Sequence, residues 1–266
     1  MKPALGALET RLFAYAQMRG WQTVRTGQLL APLGLTRSQE RELFRRLARG
    51  RLITRVRRGL YLVPPRLPLG GLWSPDPVLA LNALIEDRRG RYQICGPNAF
   101  LRYGFDNQVP NRLYAYNNRI SGMRRIGAIQ LTLIKVADRR LGEVEEQRGA
   151  EGTVAVYSSR GRTLVDAVYD WSRFNGLPRG YRWILEDLKT KRVDGRDLVA
   201  MALAYGDTST LRRLGVLLER AGVSPALLKK IERRLPRTSS PIPWIPTDRK
   251  RGPVDQRWGV VLNGEA

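Results

Sequence analysis

Chemistry without histidine leaves few side-chain sets able to catalyse, and this sequence has no histidine. The commonest general base, the commonest metal ligand and the usual neutral-pH switch are therefore missing. Two carboxylate sets remain. Asp166 and Asp170 stand one helical turn apart, a spacing at which two carboxylates can share a metal ion. Glu186, Asp187 and Lys189 form the acid-x-Lys half of a nuclease motif, in which acids hold a metal beside the phosphate. That motif belongs on a β-strand, whereas Asp187-Leu-Lys189 falls in a helical pattern. Both sets therefore read first as helix-surface charges, with a metal-dependent nuclease as the alternative. Ser158-Ser-Arg-Gly-Arg162 suits a phosphate at a helix start, but a serine cap on that helix is the simpler reading. Cys95 is the sole cysteine, so no disulfide or cysteine-ligated zinc site forms within one chain, and it reads as a small buried hydrophobe.

The stronger chemistry is non-covalent. Among 266 residues, 47 are Lys or Arg and 24 are Asp or Glu, a formal net charge of +23. Of the cations 40 are arginine, whose planar fork pairs bidentately with phosphate or guanine. A GC-rich genome would raise arginine everywhere, so the distribution decides. Residues 1–66 hold fourteen cations against three anions, a net of +11, while the remaining 200 hold a net of only +12. A basic surface focused in this way favours a polyanion through counterion release.

Those arginines need elements to aim them. The leucine spacing predicts an amphipathic helix over 4–18. Thr26 is expected to cap a short helix through Leu33, and Gly34-Leu35 to turn the chain. Thr36 with Gln39 is a capping box for the next helix, which Gly50 is expected to end as its C′ glycine. On that helix Glu40, Leu43, Phe44 and Leu47 share one face. The opposite face presents Ser38, Arg41, Glu42, Arg45 and Arg49, with Arg37 and Gln39 near its start. A hairpin follows: strand 52–56, turn Arg57-Arg58-Gly59, strand 60–63. This outline predicts a winged helix-turn-helix, with Arg37, Ser38, Gln39, Arg41, Arg45 and Arg49 toward the major groove. Arg55, Arg57 and Arg58 would grip phosphates or the minor groove from the wing.

Pro68-Leu-Gly-Gly71 marks a linker, assigned to 67–75. The remainder, 76–266, is expected to be a mixed α/β domain ending in a helical bundle and a proline-rich tail, making the whole α+β. Asp76-Pro77 starts a helix to Asp87. Strands are expected at 92–95, 112–116, 126–136 and 153–157, and helices at 97–103, 163–175, 181–189, 195–205, 208–221 and 224–234. The end, 257–263, has strand character. No apolar run approaches the ~20 residues of a membrane span. Without a signal-peptide core at the start, a soluble cytoplasmic protein is expected, with no cofactor.

Several strings, in order along nearly the whole chain, resemble the AbiEi antitoxin family of type IV toxin–antitoxin systems. They are Arg58-Gly-Leu-Tyr-Leu-Val-Pro64, Gly96-Pro-Asn-Ala-Phe-Leu-Arg-Tyr-Gly-Phe105, Val109-Pro-Asn111 and Tyr157-Ser-Ser-Arg-Gly-Arg-Thr-Leu-Val-Asp-Ala-Val168. The N-terminal helix and the proline-rich tail match least well. The resemblance implies a winged helix that binds inverted repeats in double-stranded operator DNA and represses its own operon. It also implies a C-terminal domain that counteracts a nucleotidyltransferase-type toxin without requiring a stable complex. For antitoxicity, Arg124, Arg125, Arg160 and Arg162 are the candidate basic surface of that domain.

Overall fold

The computed structural model describes residues 5–67, 72–149, 152–236 and 240–264. The linker string 68–71, Ala4 at the start of the first expected helix and Ser239 in the tail lie outside them. The fold is α+β.

The first part of the chain forms α1 (Ala7–Met18), β1 (Thr23–Arg25), α2 (Leu30–Leu33), α3 (Arg37–Arg49), β2 (Thr54–Arg57) and β3 (Leu60–Leu62). Leu12 and Ala16 of α1, as their spacing predicts, and Phe13 beside them meet Leu43, Phe44 and Leu47 of α3 in one buried cluster. The capping box is present: the Gln39 amide N–H donates to Thr36 Oγ1, and the Thr36 N–H donates to Gln39 Oε1. Gly34 turns the chain after α2 at φ 64°. Three local expectations fail. Thr26 does not cap α2, which starts at Leu30; its N–H donates instead to the Gly59 carbonyl, because residues 23–25 are a strand. Gly50 is not left-handed (φ −73°); Arg51 takes that conformation at φ 54°. The hairpin turn is Arg58-Gly59 alone, with Arg57 still in β2.

The three strands form an antiparallel sheet in the order β1-β3-β2. Alternation along β3 gives this sheet two covered faces. Tyr61 stacks on Phe44 of α3 at 4.6 Å. Leu62, together with Val56, points the other way, into the core of the second part of the molecule.

That part begins with α4 (Pro77–Asp87), whose first turn is capped by the Asp76 carboxylate. Then come β4 (Tyr92–Ile94), α5 (Pro97–Arg102), β5 (Leu113–Asn117), β6 (Gly122–Ile126), β7 (Ile129–Lys135), β8 (Val144–Arg148) and β9 (Val154–Ser158). They make a mixed six-stranded sheet, β6-β7-β5-β4-β9-β8. The single strand expected over 126–136 is the second arm of a hairpin that turns at Gly127 (φ 60°). α4 covers one face of the sheet. On the other face Cys95, Phe100, Tyr116 and Ile134 pack on Ala167 and Phe174. Those two belong to α6 (Arg160–Tyr169) and α7 (Trp171–Phe174), so the helix expected over 163–175 starts earlier and breaks at Asp170.

α8 (Arg179–Lys189), α9 (Gly195–Tyr205), α10 (Thr208–Arg220) and α11 (Pro225–Arg234) pack with α6 as a bundle. The tail returns to this bundle as β10 (Ile242–Pro243), β11 (Val254–Asp255) and β12 (Val260–Val261), a small sheet that seats Trp244 and Trp258 in the core. Tyr181 stacks on Trp244 at 3.9 Å and its hydroxyl donates to the Trp244 carbonyl. No helix of the described residues is long and apolar enough to cross a membrane.

Candidate nucleic-acid interface

α3 presents the residues that its periodicity predicts. Arg37, Ser38, Gln39, Arg41, Glu42, Arg45 and Arg49 are exposed, opposite buried Leu43, Phe44 and Leu47. Glu40 is buried with the apolar three and fixes the helix in place. Its carboxylate accepts the backbone N–H of Gly27 at 2.7 Å and of Leu29 at 3.1 Å, tying α3 to the loop before α2. Those N–H groups would otherwise be unpaired near the start of a short helix.

The exposed face is not uniformly available. Gln39 Oε1 is committed to the capping box. Arg41 Nε donates to the Arg37 carbonyl. Arg45 donates twice to Glu42, at 2.8 and 2.6 Å, and this pairing holds the Glu42 carboxyl below its ordinary range. Arg46, not singled out by the sequence pattern, pairs with Glu9 of α1. Arg37 and Arg49 flank this face at either end, and Arg55 and Arg58 of the hairpin are also exposed.

Arg57 departs from its expected role as a free wing residue. Its Nε and Nη2 both reach the Asp87 carboxylate at 2.6 Å, and Arg25 of β1 reaches the same carboxylate at 2.6 Å. Asp87 ends α4, so this triad clamps the hairpin to the second part of the molecule. Only 4% of the Asp87 side chain is exposed. The Arg57 hydrogen bonds, helped by Arg25, lower its pKa from 3.8 to about 2. Sequence reasoning passes over Asp87 and Arg25, because nothing local marks a helix-terminal aspartate as an arginine acceptor.

The four arginines assigned to antitoxicity divide. Arg124 and Arg125 are exposed on β6. Arg160 and Arg162 are not basic surface. Arg160 donates to both oxygens of Asp187, at 2.6 and 2.7 Å, and its guanidinium lies over the Phe105 ring. Arg162 is fully buried. Its Nε donates to Asp166, its Nη2 to the Arg140 carbonyl, and it stacks on Tyr205. Arg162 lies on the inward face of α6, one turn before buried Asp166, and Gly161 beside it sits where a Cβ would meet Met201 at 2.7 Å. Ser159 caps that turn, accepting the Arg162 N–H, and Glu145 lies against the Arg160 N–H, so the helix start is already filled.

The helix-surface reading of the two carboxylate sets fails for Asp166 and Asp187, which are buried, and holds for Glu186 and Lys189, which are exposed. Asp187 is 1% exposed and pairs with Arg160, which leaves Lys189 without the partner that the nuclease motif requires. Asp166 is held by Arg162 and Arg140, yet burial still pushes its carboxyl above the ordinary value. Asp170 accepts the Tyr116 hydroxyl at 2.6 Å. Among the described residues no three Asp, Glu, Cys or His side chains gather as a metal site. Cys95 is buried, and burial pushes its thiol well above the usual range.

No family model matches the sequence, and no curated protein matches it. The fold is similar to the crystal structure of the Rv2827c protein from Mycobacterium tuberculosis. The two share 17% identity and a TM-score of 0.62 over 97% of this chain and 92% of that one. At that identity the likeness is one of fold alone.

Proposed function

We propose that this chain is a DNA-binding autorepressor and antitoxin of the type IV, AbiEi kind, acting without catalysis of its own. In this reading, residues 1–66 are a winged helix-turn-helix that binds inverted repeats in its operon promoter. Residues 76–266 counteract a nucleotidyltransferase-type toxin. The observation that carries the reading is the outward face of α3. Its arginines stand opposite a fully buried apolar seam, on a helix anchored from its buried side by Glu40. The order α1-β1-α2-α3-β2-β3 and the three-stranded sheet support the winged-helix part. The family strings across β3, around α5 and at α6 support the antitoxin part.

In this reading we assign the contacts as follows. Arg37, Arg41, Arg45 and Arg49 serve bases and phosphates of the major groove, with Ser38 beside them. Arg55 and Arg58 serve the backbone, and Arg57 is withdrawn to Asp87. Fluorescence anisotropy with DNA from upstream of its own gene tests this. Binding should be steeply salt dependent and should prefer that DNA over random sequence. Equal affinity for both removes the repressor reading.

A further inference from the structure

The six-stranded sheet ends in two open edges of opposite charge. β6 is hydrogen-bonded only to β7, and β8 only to β9. Four of the five β6 residues and all five β8 residues are exposed. β6 carries Arg124 and Arg125, which fold back on the carbonyls of Met123 and Gly127 rather than meeting a carboxylate. β8 carries Glu145 and Glu146, with Glu143 just before it, against one cation, Arg148, at its end; Arg102 of α5 pairs with Glu145. Charged edge strands ordinarily keep copies of a protein apart, because like edges repel. That protection holds here for β6 against β6 and for β8 against β8. It fails for β6 against β8.

The topology matches the charges. β6 is antiparallel to β7, β7 parallel to β5, β5 antiparallel to β4, β4 parallel to β9, and β9 antiparallel to β8. β6 and β8 therefore run in opposite directions. A second copy set beside the first in the same orientation continues the sheet as an antiparallel pair. The faces agree as well. Arg124 lies across from Leu131, on the α4 side, and Glu145 and Gln147 lie across from Tyr157 and Ala155 on that same side. Arg125 and Glu146 occupy the other side. A register with Arg125 opposite Glu146 sets Arg124 opposite Gln147 and diagonal to Glu145, which is within reach of a long side chain. It also covers part of Met123, a side chain left 68% exposed.

From this juxtaposition we infer that the partner of each edge is a second copy of this chain, joined head to tail, β8 to β6. The contact is heterologous, so association does not stop at a dimer and average mass climbs with concentration. It is independent of the DNA-binding reading. A net charge of +23 repels copies at long range. The measurement therefore belongs near physiological salt, where a Debye length of about 8 Å screens whole-molecule repulsion but spares contact pairs.

Sedimentation of the full chain tests the inference. Arg124→Glu/Arg125→Glu makes both edges acidic, and Glu145→Lys/Glu146→Lys makes both basic. Each variant alone should associate at least about tenfold more weakly than the parent, through weaker attraction and added repulsion in two pairs. An equimolar mixture of the two should regain the parent's concentration dependence, since every junction is again acid to base. Arg125→Glu mixed with Glu146→Arg repeats the test at smaller amplitude, at two positions whose side chains bond no other side chain among the described residues. A parent that stays monomeric over roughly a hundredfold concentration range overturns the inference. So do variants that associate as the parent does, or a mixture no heavier than its folded components.

Discussion

Asp87→Asn tests how the hairpin is held. The carboxyl is lowered from 3.8 to about 2 by Arg57 first and Arg25 second. A shift of that size corresponds to roughly 2.5 kcal/mol of preference for the charged form in the folded state. Arg25 and Arg57 are themselves 49% and 39% exposed, so solvent screens part of this. About 1–2 kcal/mol is the expected loss in Asp87→Asn at neutral pH, or about 2–8 °C in melting temperature for a chain of this size. The sign with pH follows from the depressed value. The unfolded chain takes up the proton first, so the stabilisation is complete above about pH 5 and is lost as pH falls from about 4 through 2.

Melting followed by circular dichroism from pH 7 downward provides the assay. Parent and variant should differ by a constant interval at neutral pH, and the interval should close as the parent's own carboxylate protonates. An interval that persists unchanged to the acid limit would refute the argument, because the charge on Asp87 would then not be what holds the hairpin. The same variant releases two guanidinium groups, of Arg57 in the hairpin and Arg25 on β1. If they reach phosphates, the slope of log affinity against log salt steepens by about 1–2.

Other substitutions separate the proposed roles. Arg41→Ala or Arg45→Ala should lower the preference for operator over random DNA by about 1–3 kcal/mol where the arginine pairs bidentately with a base, read by competition binding. Arg58→Ala should instead weaken binding to all sequences alike and reduce the salt slope by about 1. Asp187→Asn breaks a buried ion pair and should destabilise by roughly 3–5 kcal/mol in denaturant melts. A variant that melts normally but loses a magnesium-dependent cleavage would instead favour the nuclease reading. Gly215→Ala places a Cβ 2.2 Å from the buried Trp258 ring, so overpacking should lower stability by about 1–3 kcal/mol in the same melts.

How far the fold could be read from sequence depended on whether a segment had a buried face. α3, α4 and α8–α11 were legible because their apolar residues recur at helical spacing, and four of these helices start or are preceded by caps at Thr36, Asp76, Asp194 and Asp207. β7 was legible because Ile129, Leu131 and Leu133 alternate inward. β6 and β8 were not. As edge strands they bury one residue between them, so Met123-Arg-Arg and Glu145-Glu-Gln show no alternation to detect. β1 failed for a different reason. Three residues, Thr23–Arg25, form a strand only because β3 offers them partners further along the chain, Thr23 pairing with Leu62. The left-handed residue at the end of α3 also escaped, since a glycine one position earlier looked like the better candidate.

The candidate site shows the same division more sharply, because an arginine's type says nothing about its partner. Composition located the charge correctly in the first 66 residues, and periodicity put part of it on one face of α3. Neither could show that Arg57 is taken by a carboxylate 30 positions away and Arg25 by the same carboxylate at 62. Nor could they show that Arg160 and Arg162, two apart in a string that looks like phosphate-binding surface, both turn inward to aspartates. In a chain with 40 arginines, the function of any one depends on which acids the fold brings to it. The 24 acidic residues therefore carry as much of the information about the interface as the arginines do. Buried Asp166 and Asp187 hold Arg162 and Arg160 within the fold, and the arginines exposed on α3, at Arg55 and Arg58 and along β6 are among the charges left to a partner.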